Sequence, residues 1–493
     1  MKQIFIAFIF VFCHSISTAQ MVYNLSLDES IKIAMEKSFR MQSLTRDLII
    51  EENNLKAAIS QMRTTVRMNF ILPQYTETVN EWQDSTGISY FPVKTLRGSA
   101  NLNITQPLPT DGRLYIQTGL LETNDYYTDL RASNINTRIG LSQPLDALYG
   151  YNSIRSSIKR AQLNYERTNK VLKREELNLI YQVSSSYYNL LSLQKGSEIA
   201  LLNLERQKEA SEISKNKYES GLIREVENLQ NEVDLVEAQN NYEMSLLNQS
   251  SATNSFKELI GMDLKDSVSL RNELNYDVVV VDPAKAVEMA LKNRLEIREN
   301  EIQIELQKLS LKQQKAQGMP SASLEASVEK IGVNRQDLSN SLSSSISNSW
   351  TDFNDRPANY QIGLNVQIPI LDWGRNRSLV KAAEERLKQS LIDKEDNERS
   401  IETEVRNLVA SLQNTLSRLK LLEKNVSVAQ RSFEITLQRY TDGDIDSQSL
   451  ALERNRLNSA QKSHLEAYIS YQLSISDLMR KTFYDFKNQQ SIE

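Results

Sequence analysis

The sequence predicts a mainly α-helical chain that carries a β-barrel section and is built as an internal tandem duplication. Three observations lead there. Two very long stretches run almost without glycine or proline, two shorter sections alternate apolar and polar residues at period two, and the chain aligns on itself. From Ser153 to Glu219 the only breaker is Gly196, and from Ser378 to Thr441 there is none. At 1.5 Å per residue each stretch gives roughly 100 Å of helix, longer than a compact domain needs. The whole chain of 493 residues holds only 14 Gly and 9 Pro, which fits long uninterrupted helices.

The first element is a targeting segment. Lys2 precedes an apolar run from Ile4 to Cys13, followed by small and polar residues ending Ser17-Thr18-Ala19. This is the plan of a secretory signal peptide over residues 1–19, with cleavage expected after Ala19. Ten apolar residues are too few to span a bilayer. Cleavage would remove the single cysteine, so neither disulfides nor thiolates would support the exported chain.

Two repeats follow, over residues 20–275 and 276–493. Ser30-Ile31-Lys32-Ile33-Ala34-Met35 lies over Ala286-Val287-Glu288-Met289-Ala290-Leu291, and Lys217-Tyr218 through Gly221 lies over Arg439-Tyr440 through Gly443. The first offset is 256 and the second 222, so 34 extra residues sit in the middle of the first repeat (256 − 222). Each repeat reads as a helix, a β-section, a very long helix, a break and a returning helix. The first repeat opens on Ser26-Leu27-Asp28-Glu29, a capping-box start. The second opens on Asp282-Pro283, a capping side chain with proline at the first helical position. The long hairpins are expected at about 151–261 and 375–485, with heptad-like apolar spacing that calls for coiled-coil partners.

The β-sections are expected at about 64–147 and 320–372. Tyr360, Ile362, Leu364 and Val366 are interleaved with Gln361, Gly363, Asn365 and Gln367. Leu324, Ala326 and Val328 alternate with Ser323, Glu325 and Ser327, and Val66, Met68 and Phe70 with Arg67 and Asn69. A sheet over a soluble core would show the same pattern. In an exported chain, polar faces this hydrophilic also suit a barrel with lipid outside and water inside. Ser323, Glu325, Gln361, Asn365 and Gln367 would then face the lumen. Tyr149, Tyr151 and Trp373 would sit at the membrane–water boundary, or be ordinary packing aromatics. The polar stretches Thr76–Gly98 and Gly332–Pro357 read as loops. The excess of the first repeat reads as strand, Asp111-Gly112 turn, strand, and the sequence leaves open whether that hairpin joins the barrel.

Little remains for chemistry. Two His and one Cys leave few metal ligands, thiols or imidazole bases, and His464 has no second ligand nearby. No glycine-rich phosphate loop or nucleophile elbow occurs, and no cofactor is expected. With 58 Lys and Arg against 63 Asp and Glu, the net charge of −5 argues against nucleic acid as a partner. Most enzymes are disfavoured.

The order of these parts resembles the TolC family of outer-membrane channel proteins, from Leu25 to about Phe486. The carriers are Leu25-Ser26-Leu27-Asp28-Glu29-Ser30-Ile31, the strand ends Gly140–Leu145 and Gly363 to Gly374, and the turns around Gly221 and Gly443. The resemblance implies a homotrimer in the outer membrane, each chain giving strands to one shared barrel and helical hairpins to one periplasmic tunnel. It implies an exit duct for efflux or type I secretion, joined to a periplasmic adaptor and an inner-membrane pump. By that resemblance Tyr218, Gly221, Leu222, Tyr440 and Gly443 mark the periplasmic tip that meets the adaptor. Glu227 matches an acidic position of the entrance, whereas the second hairpin holds Ser449 and Leu452 where the family has acids. Asp444 and Asp446 are the remaining candidates there, as pore charges or as plain turn residues.

Four regular strands per chain are too few for a membrane barrel, and open edges are not tolerated in lipid. Three copies would supply twelve. The other reading is a trimeric coiled-coil structural or surface protein of the cell envelope, separable by its lack of detergent dependence.

Overall fold

The structure, a computed structural model, describes residues 22–271 and 275–492. The expected signal peptide, residues 1–19, lies outside the described residues. In chain order the first repeat runs β1 (Val22–Leu25), α1 (Leu27–Lys37), α2 (Phe39–Ser60), β2 (Thr65–Asp84), β3 (Gly87–Pro107), β4 (Arg113–Asp125) and β5 (Leu130–Pro144). It continues with the short α3 (Asp146–Tyr149), then α4 (Ser153–Glu219), α5 (Glu225–Ile260) and β6 (Ser267–Leu270). The second repeat runs α6 (Pro283–Asn293), α7 (Leu295–Gln317), β7 (Ser321–Asp337), α8 (Leu342–Asp355) and β8 (Asn359–Gln367). It ends with α9 (Arg375–Asp442), α10 (Ser447–Thr482), β9 (Tyr484–Asp485) and β10 (Gln490–Ser491). Helices α4 and α9 are single elements of 67 and 68 residues.

The chain forms two compact units that cut across the repeats. One takes the described residues up to Arg46 together with Val171–Leu295 and those from Asn397 onward; the other is Asp47–Lys170 with Glu296–Asp396.

The first unit is helical. Ser26 caps α1 with the expected reciprocal box: its Oγ accepts from the Glu29 amide at 3.2 Å, and its own amide donates to Glu29 Oε2 at 2.8 Å. Asp282 caps α6 by accepting from the Ala284 amide at 3.1 Å. Leu179, Val183, Tyr187 and Leu190 form one stripe of α4 and are buried with Phe256 and Ile260 of α5. Such residues stabilise by about 1.5–3 kcal/mol each on burial, which is why the stripe holds the unit together. The Tyr187 hydroxyl donates to the Arg271 carbonyl at 3.2 Å, just past the parallel pair β1–β6. Arg294, 7 % exposed, reaches Glu404 at 2.7 Å, and Lys481 reaches the same carboxylate at 2.5 Å.

The second unit is built on one antiparallel sheet in the order β2-β3-β4-β5-β7-β8. This corrects two expectations. The sheet has six strands per chain, not four, because the inserted residues supply β3 and β4 to the same sheet. Thr76–Gly98 is not a loop: β2 and β3 continue through it and turn at Ser85-Thr86. A register shift between Ile71 and Gln74 explains why the alternation was illegible. The bulge exchanges the faces taken by odd and even residues, so the period-two signal breaks there.

Gly332–Pro357 is likewise not a loop but the end of β7 followed by α8. Serine is a weak helix former, and the run hides the signal. Ser341 caps α8 by accepting from the Ser344 amide at 3.2 Å, and Pro357 follows its end. Ser345 and Ser349 are fully buried against the sheet, where Ser345 Oγ lies 2.7 Å from Ser133 Oγ and Ser349 Oγ donates to the Ser133 carbonyl at 3.0 Å. In the same unit Arg298 joins α7 to α4 through Glu166 at 2.7 Å, and Lys394 of α9 reaches Glu301 at 3.3 Å. The Arg298 hydrogen bonds hold the Glu166 carboxyl below its usual range. No helix among the described residues is long and apolar enough to cross a membrane.

Candidate functional site

Across the row that runs from Val66 to Tyr360, strand register sorts side chains into an apolar face and a polar face. Val66 pairs with Ile104, Ile104 with Ile116, Ile116 with Ile139, Ile139 with Val328, and Val328 with Tyr360. Residues that pair directly share a face, so these six form one unbroken apolar row across all six strands. Their chain neighbours pair in the same way as Arg67, Asn103, Gln117, Arg138, Glu329 and Asn359, a polar row on the opposite face. Within it Arg138 and Glu329 form an ion pair at 3.2 Å. Most of the apolar row is exposed: Val66, Ile116, Ile139, Val328 and Tyr360 all are.

The five expected lumen residues fall together on the polar face. Ser323 pairs with Asn365, Ser321 with Gln367, Ser327 with Gln361, and Glu325 with Gly363. Arg67 and Arg138, which the alternation already sets on the polar side of their strands, lie on that same face. At the sheet's margins, β2 and β8 each have a strand neighbour on one side only among the described residues.

The aromatics expected at a boundary differ in setting. Trp373 is 89 % exposed and takes a positive φ of 54°. Beside it the Asp372 carboxylate accepts from the Gly374 amide at 2.9 Å and the Asn376 amide at 2.8 Å and so caps α9. Tyr151 is half-buried, and Tyr149 closes α3.

The two turns of the helical unit have one geometry. Gly221 (φ 74°) donates to the Tyr218 carbonyl at 2.9 Å while Leu222 donates to that of Lys217 at 2.8 Å. Gly443 (φ 87°) donates to the Tyr440 carbonyl at 3.1 Å while Asp444 donates to that of Arg439 at 2.9 Å. Both are the paired C-terminal stop in which a left-handed residue closes the last turn. Around them Ala210, Phe433, Tyr440, Leu450 and Leu457 make a small core.

The turn residues separate by exposure. Leu222 is 74 % exposed and Tyr218 is also exposed. Tyr440 is 3 % exposed, which corrects its assignment as a surface contact: it belongs to the core of the tip. Burial pushes its phenol up, since the charged form would lose hydration. Glu227, in the first turn of α5, pairs with Arg224 at 2.9 Å. Asp446 caps α10, accepting from the Ser449 amide at 2.9 Å, and those hydrogen bonds hold its carboxyl below the usual range. Asp444 is exposed. Among the described residues no group of His, Cys, Asp and Glu is placed to hold a metal.

The family described as outer membrane efflux protein matches residues 121–262 and 286–481, more than half of the chain. The alkaline protease secretion protein AprF of Pseudomonas aeruginosa is 20% identical over 354 residues, 70% of this chain and 70% of that one. Outer membrane protein TolC of Vibrio cholerae is 23% identical over 357 residues, 71% of this chain and 76% of that one. Among solved structures, the CmeC outer membrane channel of Campylobacter jejuni has a TM-score of 0.69 at 16% identity, covering 92% of this chain and 85% of that one. The open MtrE outer membrane channel of Neisseria gonorrhoeae has a TM-score of 0.65 at 16% identity, covering 95% and 90%. At such identities these two structures speak for the fold alone.

Proposed function

This chain belongs to the outer membrane efflux protein family, and from that premise we propose that three copies assemble into one passive duct fed by an inner-membrane pump through a periplasmic adaptor. The protein is an outer-membrane exit duct for an efflux or secretion system and extends into the periplasm. Its work is passage rather than bond chemistry. Small molecules are the cargo we favour, because pumps joined through adaptors most often export them; the protease named for the relative AprF marks protein export as the other class.

The observation that carries this reading is the sheet with an exposed apolar row, a polar row behind it and two edges that have no strand neighbour among the described residues. In lipid an open edge leaves amides and carbonyls unsatisfied at several kcal/mol each, so the sheet must close with other copies. A stalk whose sheet packs on itself would cover Val66, Ile139 and Tyr360, which are exposed. Ser323, Glu325, Gln361, Asn365 and Gln367 would then line the water-filled bore. Leu222 and Tyr218 would offer the adaptor its apolar foothold, and Glu227 with Asp444 would colour the entrance negative.

The test is planar-bilayer recording of protein purified in detergent. Discrete conductance with a low open probability is expected, together with a trimer mass. A soluble, detergent-independent species that leaves the bilayer silent would overturn the reading.

A further inference from the structure

We propose that the inserted hairpin β3–β4 forms part of the barrel wall, so that each chain supplies six staves and its two edges, β2 and β8, pair with further copies of this same chain. The inference rests on the channel reading above and goes beyond it in the size of the bore. With the three copies proposed there, six strands from each give eighteen.

Three observations carry it. First, the hairpin's alternation is in phase with the rest of the sheet. Ile104 of β3 and Ile116 of β4 sit in the apolar row between Val66 and Ile139, and Asn103 and Gln117 sit in the polar row between Arg67 and Arg138. A flap lying off the wall in water has no reason to keep that phase. A stave between lipid and water must keep it.

Second, β2 and β5 are not neighbours in the sheet. The two strands of the first repeat that correspond to β7 and β8 are separated by β3 and β4, paired continuously along Thr95–Pro107 with Arg113–Asp125. Removing the hairpin from the wall would break both of its ladders and leave two inner edges to be re-paired.

Third, the hairpin's turn is built into the rim. Asp111, with a positive φ of 61°, aims its carboxylate at the first amides of α4: it accepts from Ile154 at 2.8 Å and from Ser153. Asn152 Nδ2 donates to the Pro109 carbonyl at 2.9 Å. The inserted turn thus caps the helix that follows the sheet.

The consequence is width. With strands about 4.8 Å apart and tilted about 40°, eighteen strands close a barrel about 36 Å across, against about 24 Å for twelve. The wall would then admit bulkier cargo than a twelve-stranded duct, and restriction would fall to the helical tip.

The experiment uses single-cysteine variants of the full chain, with Cys13, its only cysteine, replaced by serine. Each is labelled with bimane and reconstituted in vesicles of ordinary or brominated phosphatidylcholine. Leu102→Cys and Ile116→Cys test the apolar face of the hairpin, Asn103→Cys and Gln117→Cys its polar face, and Leu364→Cys on β8 serves as the wall reference. Brominated chains are expected to quench the labels at 102, 116 and 364 severalfold more than those at 103 and 117. If 364 is quenched while 102 and 116 behave like 103 and 117, the hairpin lies outside the wall and only this proposal falls. If 364 is not quenched either, the channel reading falls with it. Should a variant fail to assemble, Ile104→Cys and Asn101→Cys report the same two faces.

Discussion

The Lys217 ammonium lies 4.3 Å from the centre of the Tyr440 ring and donates to the Tyr440 carbonyl at 2.6 Å, tying the last turn of α4 to the last turn of α9. The two turns that end the long helices are thereby fastened to each other inside one chain. The lysine is half-buried and the tyrosine buried, so water competes weakly for the charge. A charge-assisted bond of this kind is worth about 1.5–3 kcal/mol and the ring contact about 0.5–1 kcal/mol more. Lys217→Met keeps the aliphatic stem and removes both. The expected outcome is more frequent opening in single-channel records, faster trypsin cleavage at the tip and a fall in thermal stability. Unaltered opening statistics would take this contact out of gating.

Gly221 and Gly443 owe their place to backbone conformation alone. Nothing lies within 4 Å of where a Cβ would stand at either, yet both have positive φ. Alanine there should cost about 1 kcal/mol of left-handed strain, asparagine markedly less, and valine more. Chemical denaturation of Gly443→Asn, Gly443→Ala and Gly443→Val should rank them in that order. Equal stabilities would mean that the stop tolerates another geometry.

Gly332 is the contrasting case. Its φ is unexceptional, but a Cβ there would run into the Ser349 carbonyl oxygen and Phe353 of α8. The cost of Gly332→Ala is therefore steric, about 1–3 kcal/mol, and should appear as loosening of α8 from the sheet. Hydrogen exchange over residues 342–355 should rise while β7 itself stays protected. Protection as in the parent protein would show that the helix adjusts at no cost.

The helical half of this protein was legible because its signals are local. Capping side chains at Ser26 and Asp282, breaker-free runs and a glycine after Lys217-Tyr218 each need only a few neighbours to read. Strand β8 and the first part of β7 were legible for the same reason, since Tyr360 to Gln367 alternates without interruption. The upper half of β2 was not, because the shift at Ile71–Gln74 reverses parity, and that reversal shows only against the partner strand. Helix α8 was hidden because its buried face is serine: Ser345 and Ser349 are inside for their small size, not for apolarity. Tyr440 and Tyr218 look equivalent in the aligned repeats, and only packing beside Lys217 and Phe433 makes one core and the other surface.

Acid should act on the helical unit through Glu404. Burial pushes this carboxyl up, but hydrogen bonds from Lys481 and Arg294 outweigh it and leave it below the ordinary range. A lowered folded-state value means its stabilisation is complete above the unfolded value of about 4.3 and drains as pH falls through the lower folded value. Glu404→Gln should lower the melting temperature at neutral pH and flatten the decline below about pH 4.3. An acid limb identical to the parent's would show that other carboxylates carry it.

Asp446 holds two separable properties, a cap and a charge, and substitutions can remove them one at a time. Its carboxylate accepts from the Ser449 amide at the start of α10, a service that asparagine performs nearly as well and alanine does not. Its charge, exposed beside Asp444, would draw cations towards a narrow entrance by Coulomb focusing. Asp446→Asn should therefore leave the melting temperature within error and reduce the cation preference measured as reversal potential in a salt gradient. Asp446→Ala should do the same to selectivity and also cost about 1 kcal/mol of stability. If asparagine leaves the reversal potential where it was, Asp446 is a turn residue only, and the negative entrance rests on Glu227 and Asp444.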